Sequence, residues 1–129
     1  MAEDSIPDAI KRFILTSVAS VPHLEAMLLL RDEKVRPWDA KQVAQRLYVS
    51  ESKAATLLAD LCAAGILMVA GQGTLTYQYR PSSEKLSQVI DQMAAIYTKN
   101  IVQIATLIHS RTNKKAQRFA DAFKWREDS

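Results

Sequence analysis

The fold is decided by the stretch Asp39-Ala-Lys-Gln-Val-Ala-Gln-Arg-Leu47 and by Ser50-Glu-Ser-Lys-Ala-Ala-Thr-Leu-Leu-Ala-Asp-Leu-Cys-Ala-Ala-Gly65, which follows it after two residues. In both segments the apolar residues recur at three- and four-residue intervals, which is the spacing of one helix face. Asp39 and Ser50 carry side-chain oxygens that can cap a helix. Gly65 can adopt the positive φ that often follows a helix. The sequence therefore predicts two helices joined by a tight turn over about residues 39–65.

A β-hairpin is predicted directly after this helix pair. Ile66 to Ala70 and Leu75 to Arg80 are rich in strand-forming residues and flank a glycine-containing turn at residues 71–74. In the second strand Leu75, Tyr77 and Tyr79 alternate with polar residues, so we expect one buried face and one wet face.

Two further helices are predicted before residue 39. Apolar residues at helical spacing run from Ile6 to about Val21, and a second helix runs from His23 to about Asp32 after Pro22. His23 lies in the first turn of that helix, where we expect it to be solvated or to cap. In the connection that follows, Trp38 should pack on the first turn of the next helix.

A long apolar stripe follows the hairpin, from Ser83 to about Ser110. Read as one helix of about 27 residues, it would be about 40 Å long. A domain of this size is only about 25–30 Å across. A second subunit should therefore cover the excess stripe, which predicts a homodimer formed through the C-terminal helix. A short amphipathic helix is predicted over Lys114 to Arg126.

Composition limits the class of protein. The 129 residues suit one domain over residues 1–80 and a C-terminal helical extension over residues 81–129. A single cysteine, Cys62, and an N-terminus without a long apolar run predict a cytoplasmic protein. We expect neither catalysis nor a cofactor or metal ion, because two histidines and one cysteine fall short of a metal site and no glycine-rich phosphate loop opens a helix.

The charge distribution is uneven along the chain. Residues 38–80 carry four Lys and Arg against three Asp and Glu, whereas residues 81–129 carry eight against five. The C-terminal basic residues admit three interpretations: solvated helix faces, contact with nucleic acid, or an amphipathic segment for a partner groove or membrane surface. The acidic residues Asp121, Glu127 and Asp128 among them weaken the membrane interpretation.

Residues 22–80 resemble the winged helix-turn-helix superfamily, with a central helix, a supporting helix, a recognition helix ending in Gly65-Ile66-Leu67 and a two-strand wing. The wing followed by a long terminal helix looks like the MarR and PadR groups of bacterial transcription regulators. The resemblance implies a mainly α fold with a small β-hairpin wing, with which Val35 could pair as a short third strand. It also implies a homodimer that binds double-stranded DNA at a pseudo-palindromic site and regulates transcription.

The second helix of such a motif enters the major groove. If Ala54, Leu57, Leu58 and Leu61 face the core, then Glu51, Ser52, Lys53, Ala55, Thr56 and Asp60 face outward. Among these, Ser52, Lys53 and Thr56 are the candidate DNA-reading residues. Gln42 and Arg46 of the supporting helix are candidates for phosphate contact, and Gln72 for contact through the wing.

A second interpretation stays open. The near-neutral charge of residues 38–80 and the absence of a cation at the wing tip favour a winged helix that binds another protein, in a signalling or membrane-associated complex, without binding DNA.

Overall fold

The computed structural model describes residues 6–71 and 73–110. These residues form six helices and one two-stranded antiparallel hairpin: α1 (Asp8–Ser17), α2 (Val21–Asp32), α3 (Ala40–Leu47), α4 (Glu51–Ala63), β1 (Leu67–Ala70), β2 (Thr76–Tyr79), α5 (Glu84–Tyr97) and α6 (Ile101–Ser110). The predicted class, mainly α with a small β-hairpin, is confirmed. None of the described helices, taken singly, combines the length and the hydropathy needed to cross a membrane; the bent pair α1 and α2, at 111°, meets the criterion only when the two are counted together.

Helix α2 is the central element of the core. It contacts α3, α4 and β2, and its Leu24, Met27 and Leu30 are almost completely buried. From α4, Leu57 and Leu58 are also inaccessible to solvent. Burying a side chain of this size stabilises a fold by roughly 1.5–3 kcal/mol, so these residues account for much of the attachment of α4 to the domain.

The hairpin gains a third strand segment at Trp38. The Trp38 N–H donates to the Tyr77 carbonyl at 2.7 Å, and the Tyr77 N–H donates to the Trp38 carbonyl at 2.8 Å. The prediction that Val35 supplies this pairing is wrong, since Val35 is 88 % exposed. The predicted alternation in β2 holds for Tyr77 and Tyr79, which are buried, but Leu75 precedes the strand and is exposed.

The base of the hairpin is tied to the helices on both sides of it. The Ser82 N–H donates to the Gly65 carbonyl at 2.8 Å, and the Arg80 N–H donates to the Ile66 carbonyl at 3.0 Å. Gly65 has φ +81°, and a Cβ there would lie 2.8 Å from Ser82 Oγ. Both the backbone conformation and the space therefore favour glycine at this position. Ser83 then caps α5 by accepting from the Leu86 N–H.

The predicted single C-terminal helix is wrong, because the chain breaks between α5 and α6. The Asn100 side-chain amide donates to the Ile96 carbonyl at 3.0 Å, and the Asn100 carbonyl accepts from the Ile104 N–H at 2.9 Å. Asn100 thus ends one helix and begins the next. Ile104 and Ile108 are buried in the core of the same chain. The stripe does not outrun its domain here, so the length argument for a second subunit fails. The helix predicted over residues 114–126 lies outside the described residues.

Two tyrosines, Tyr79 and Tyr97, have raised pKa values. Burial raises the pKa of Tyr79 to about 12, helped by the negative charge of Asp91 and opposed in part by Arg31. Burial also raises the pKa of Tyr97, with a smaller contribution from Glu25. Both phenols are therefore neutral at physiological pH.

Candidate nucleic-acid interface

Helix α3 begins with a reciprocal cap. Asp39 Oδ1 accepts from the Gln42 N–H at 2.8 Å, and Gln42 Oε1 accepts from the Asp39 N–H at 3.1 Å. The side-chain oxygen of Gln42 is therefore committed to the cap, which leaves its NH₂ group as the remaining polar group. That group is a donor, which suits the phosphate contact predicted for Gln42.

The turn between the two helices is short. Tyr48 adopts a left-handed backbone conformation, with φ 58° and ψ 44°, and its N–H donates to the Ala44 carbonyl. Ser50 then caps α4 by accepting from the Lys53 N–H at 3.0 Å. The predicted pair of helices joined by a tight turn over about residues 39–65 is confirmed.

Helix α4 presents the predicted faces. Ala54, Leu57, Leu58 and Leu61 are buried, and the outward set named above from Glu51 to Asp60 is exposed. The Thr56 hydroxyl donates to the Ser52 carbonyl at 3.2 Å, so its oxygen lone pairs face solvent as acceptors. Such an acceptor suits a base amino group better than a phosphate. Lys53 forms no ion pair with another described residue, so its ammonium is available to an anion.

Arg46 is less available than predicted. Its Nη1 lies 3.5 Å from Glu33 Oε2, and its guanidinium carbon lies 5.4 Å from the centre of the Trp38 ring. The Arg36 guanidinium stacks more closely on the same ring, at 3.9 Å. Both arginines therefore cover the buried Trp38. Contact between Arg46 and a phosphate would compete with the Glu33 carboxylate.

The hairpin lies beside the N-termini of α3 and α4. A cleft of about 340 Å³ separates them, with Asp39, Lys41 and Glu51 on the helix side and Thr74 and Leu75 on the hairpin side. Two carboxylates and one lysine give the cleft a slight negative charge. The predicted wing residue Gln72 lies outside the described residues.

His23 is buried and bonded, in contrast to the solvated or capping role predicted. Its Nδ1 lies 2.6 Å from Ser20 Oγ, and its Nε2 lies 2.7 Å from Asp60 Oδ2. Helix α2 begins at Val21 because Ser20 caps it, accepting from the His23 N–H at 3.3 Å. A serine, a histidine and an aspartate in a chain occur in nucleophilic catalysis. Here the serine oxygen caps a helix, and the histidine ties α2 to the third turn of α4.

Tyr48 is the surface residue that the sequence analysis missed as a candidate. It is 94 % exposed and lies two residues before the cap of α4. The available signal was its chemistry: an aromatic residue in a predicted tight turn has few intramolecular neighbours to contact.

A metal site is not formed by the described part of the chain, where no three His, Cys, Asp or Glu side chains come together. Comparison with profiles of protein families, with curated proteins and with solved structures finds no match for this chain.

Proposed function

We propose that this protein is a winged helix-turn-helix transcription regulator, which binds duplex DNA through the outward face of α4. One observation carries the proposal: Ser52, Lys53 and Thr56 are exposed together on the first turns of a capped helix whose opposite face is anchored in the core. In a helix-turn-helix protein these are the positions that reach base edges in the major groove.

The surrounding elements support the same binding mode. The free donor of Gln42 on α3 could contact a phosphate, and the hairpin stands beside the same end of α4. Sequence-specific contact would come from Thr56 and Ser52, whereas Lys53 would contribute affinity that depends on salt.

The protein would act as a homodimer on two half-sites about one helical turn apart. The exposed apolar residues Ile101 and Val102 on α6 are the candidates for the contact between the subunits, because Ile104 and Ile108 are already covered within one chain. Sedimentation of the purified chain over a concentration series would measure this association.

A double substitution tests the DNA-binding face. Lys53→Ala with Thr56→Ala should weaken binding to the DNA upstream of its own gene by at least about tenfold, since each lost contact contributes on the order of 1 kcal/mol. The slope of log affinity against log salt should fall by about 2, because the dimer loses two lysines.

The matched control is Lys11→Ala with Thr16→Ala on α1. Both residues are exposed, and Thr16 donates to a carbonyl four residues back, as Thr56 does. Equal binding by wild type, test and control variants, with all three folded by circular dichroism, would remove the assignment to α4.

Protein recognition is the second candidate function, and two features favour it. The cleft between the helices and the hairpin is slightly acidic, and the hairpin exposes Met68, Val69 and Leu75. A salt series separates the two functions. A DNA-binding dimer making about six phosphate contacts should lose affinity steeply as salt rises. Absence of binding to duplex DNA even at ~50 mM salt would favour the protein partner.

A further inference from the structure

Tyr48 has a backbone conformation that its side chain does not favour. Among the described residues it is the single non-glycine residue with a positive φ. The left-handed region brings Cβ close to the following carbonyl oxygen, so glycine is the residue that tolerates it best, followed by asparagine. A tyrosine at this turn therefore costs stability that either of those residues would recover.

The fold gives no packing in return for this cost. The side chain is 94 % exposed, whereas Tyr77 and Tyr79 are each 8 % exposed and belong to the core. The Tyr48 hydroxyl makes no hydrogen bond to another described residue. Only the backbone N–H of Tyr48 takes part in the structure of the turn, and any residue except proline can supply it.

The position of Tyr48 indicates what the ring could contact. It lies two residues before Ser50, at the end of α4 that also carries Ser52 and Lys53. When the first residues of a recognition helix enter the major groove, the preceding turn lies beside the sugar-phosphate backbone that borders the groove. Tyrosine hydroxyls are among the neutral donors that proteins use to contact phosphate oxygens.

We propose that Tyr48 is a DNA-contacting residue whose phenol hydroxyl donates a hydrogen bond to a backbone phosphate at the edge of the groove entered by α4. The inference rests on the proposed function and adds a contact to it. The contact positions the helix and is uncharged, so it contributes affinity without displacing a counterion.

The test compares Tyr48→Phe, Tyr48→Asn and Lys53→Ala, with Val35→Asn as a control at another strongly exposed apolar residue. Binding is followed by fluorescence anisotropy on a mixed-sequence duplex of about three helical turns. The salt range is ~50 to ~200 mM. Tyr48→Phe should weaken binding about five- to tenfold, equivalent to about 1–1.4 kcal/mol. Tyr48→Asn should weaken it at least as much, and Val35→Asn should leave it unchanged.

Two further measurements separate a phosphate contact from a structural role. Tyr48→Phe should keep the salt slope of wild type, whereas Lys53→Ala should lower that slope by about 2, since each subunit of the dimer loses one lysine. Tyr48→Asn should unfold at the same temperature as wild type or higher, because it relieves the left-handed turn.

The failures are distinguishable. If Lys53→Ala weakens binding and both Tyr48 variants bind as wild type, the inference is wrong and the proposed function stands. A weakened Tyr48→Asn beside an unaffected Tyr48→Phe overturns the hydroxyl contact, and a Tyr48→Asn that unfolds at lower temperature assigns the residue to the fold. If wild type does not bind the duplex at ~50 mM salt, both proposals fall together.

Discussion

Replacing Asp60 by alanine should loosen the attachment of α4 to α2. The Asp60 carboxylate lies 2.7 Å from Nε2 of His23, whose side chain is 10 % exposed, whereas the Asp60 side chain is 54 % exposed. A hydrogen bond to a charged group contributes about 1.5–3 kcal/mol, and water around the half-exposed carboxylate reduces this contribution. Without Asp60, a mostly buried imidazole nitrogen loses its partner. We therefore expect the free energy of unfolding to fall by about 1–2 kcal/mol.

The assay is urea unfolding followed by circular dichroism at neutral pH, together with thermal unfolding. A loss of 1–2 kcal/mol corresponds to a decrease in the unfolding temperature of roughly 4–10 °C for a domain of this size. A double-mutant cycle with His23→Ala should assign at least half of the loss to the pair itself. The remainder would reflect each residue's other contacts, such as the hydrogen bond between His23 and Ser20.

The control is the ion pair between Arg31 and Asp91, whose Nε and Oδ1 atoms lie 2.9 Å apart. Its geometry is similar, but the Arg31 side chain is 28 % exposed, nearly three times the exposure of His23. Exposed pairs contribute about 0–1 kcal/mol, so Asp91→Ala should cost less than Asp60→Ala. Equal or smaller losses for Asp60→Ala would refute the reasoning that burial of the histidine strengthens this contact.

Three further predictions concern the core, the turns and pH. Ile104→Ala should lower the free energy of unfolding by about 2–5 kcal/mol, because Ile104 is completely buried. Gln103→Ala, on the exposed side of α6, should change it by less than about 0.5 kcal/mol, and similar values by urea unfolding would contradict the packing of α6 on the core. Gly65→Ala should destabilise the fold more than Gly73→Ala. Both glycines have positive φ, but only at Gly65 does the added Cβ lie within 3 Å of another atom, and equal unfolding temperatures would show that this steric contact does not matter. The free energy of unfolding should fall as pH rises from 10 toward 12, because the folded state keeps the Tyr79 proton that the unfolded chain releases near pH 10. Tyr79→Phe should flatten that part of the curve of stability against pH. A curve of unchanged slope would show that another group controls the dependence.

The helix faces could be predicted from the sequence because they depend on local spacing. Ala54, Leu57, Leu58 and Leu61 recur at three- and four-residue intervals, and all four are buried as expected. The caps at Asp39 and Ser50 could be predicted for the same reason, since a capping residue acts on backbone N–H groups two or three residues ahead. For α5 the sequence leaves Ser82 and Ser83 as alternatives, and Ser83 is the cap.

The break at Asn100 could not be predicted in this way. The apolar spacing continues through residues 96–104 without glycine or proline, so a single helix satisfies the pattern equally well. The break accompanies tertiary packing, since Ile104 and Ile108 beyond it are buried in the core. At the end of α5 the Asn100 N–H donates to the Tyr97 carbonyl, and the Ile96 carbonyl accepts from the Lys99 N–H and from the Asn100 side-chain amide.

The burial of His23 could have been predicted from its spacing in α2. It lies four residues before Met27 and seven before Leu30, on the face of α2 that is buried. Its partner Asp60 is 37 residues away in sequence, so the hydrogen bond itself depends on the fold. At the candidate site, the spacing of the apolar residues predicted which face of α4 is exposed. The engagement of Arg46 with Glu33 and Trp38 depends on contacts between distant segments.

The hydrogen bond from the Ser82 N–H to the Gly65 carbonyl fixes the base of the hairpin. Its four-residue strands extend about 13 Å from that base, so a small rotation at the base displaces the tip by a larger distance. Gly65 directly follows the C-cap of α4, and Ser82 directly precedes the N-cap of α5. Any change in the position of Ser82 would therefore be passed to both the hairpin and the end of α4, because one hydrogen bond connects these parts of the chain.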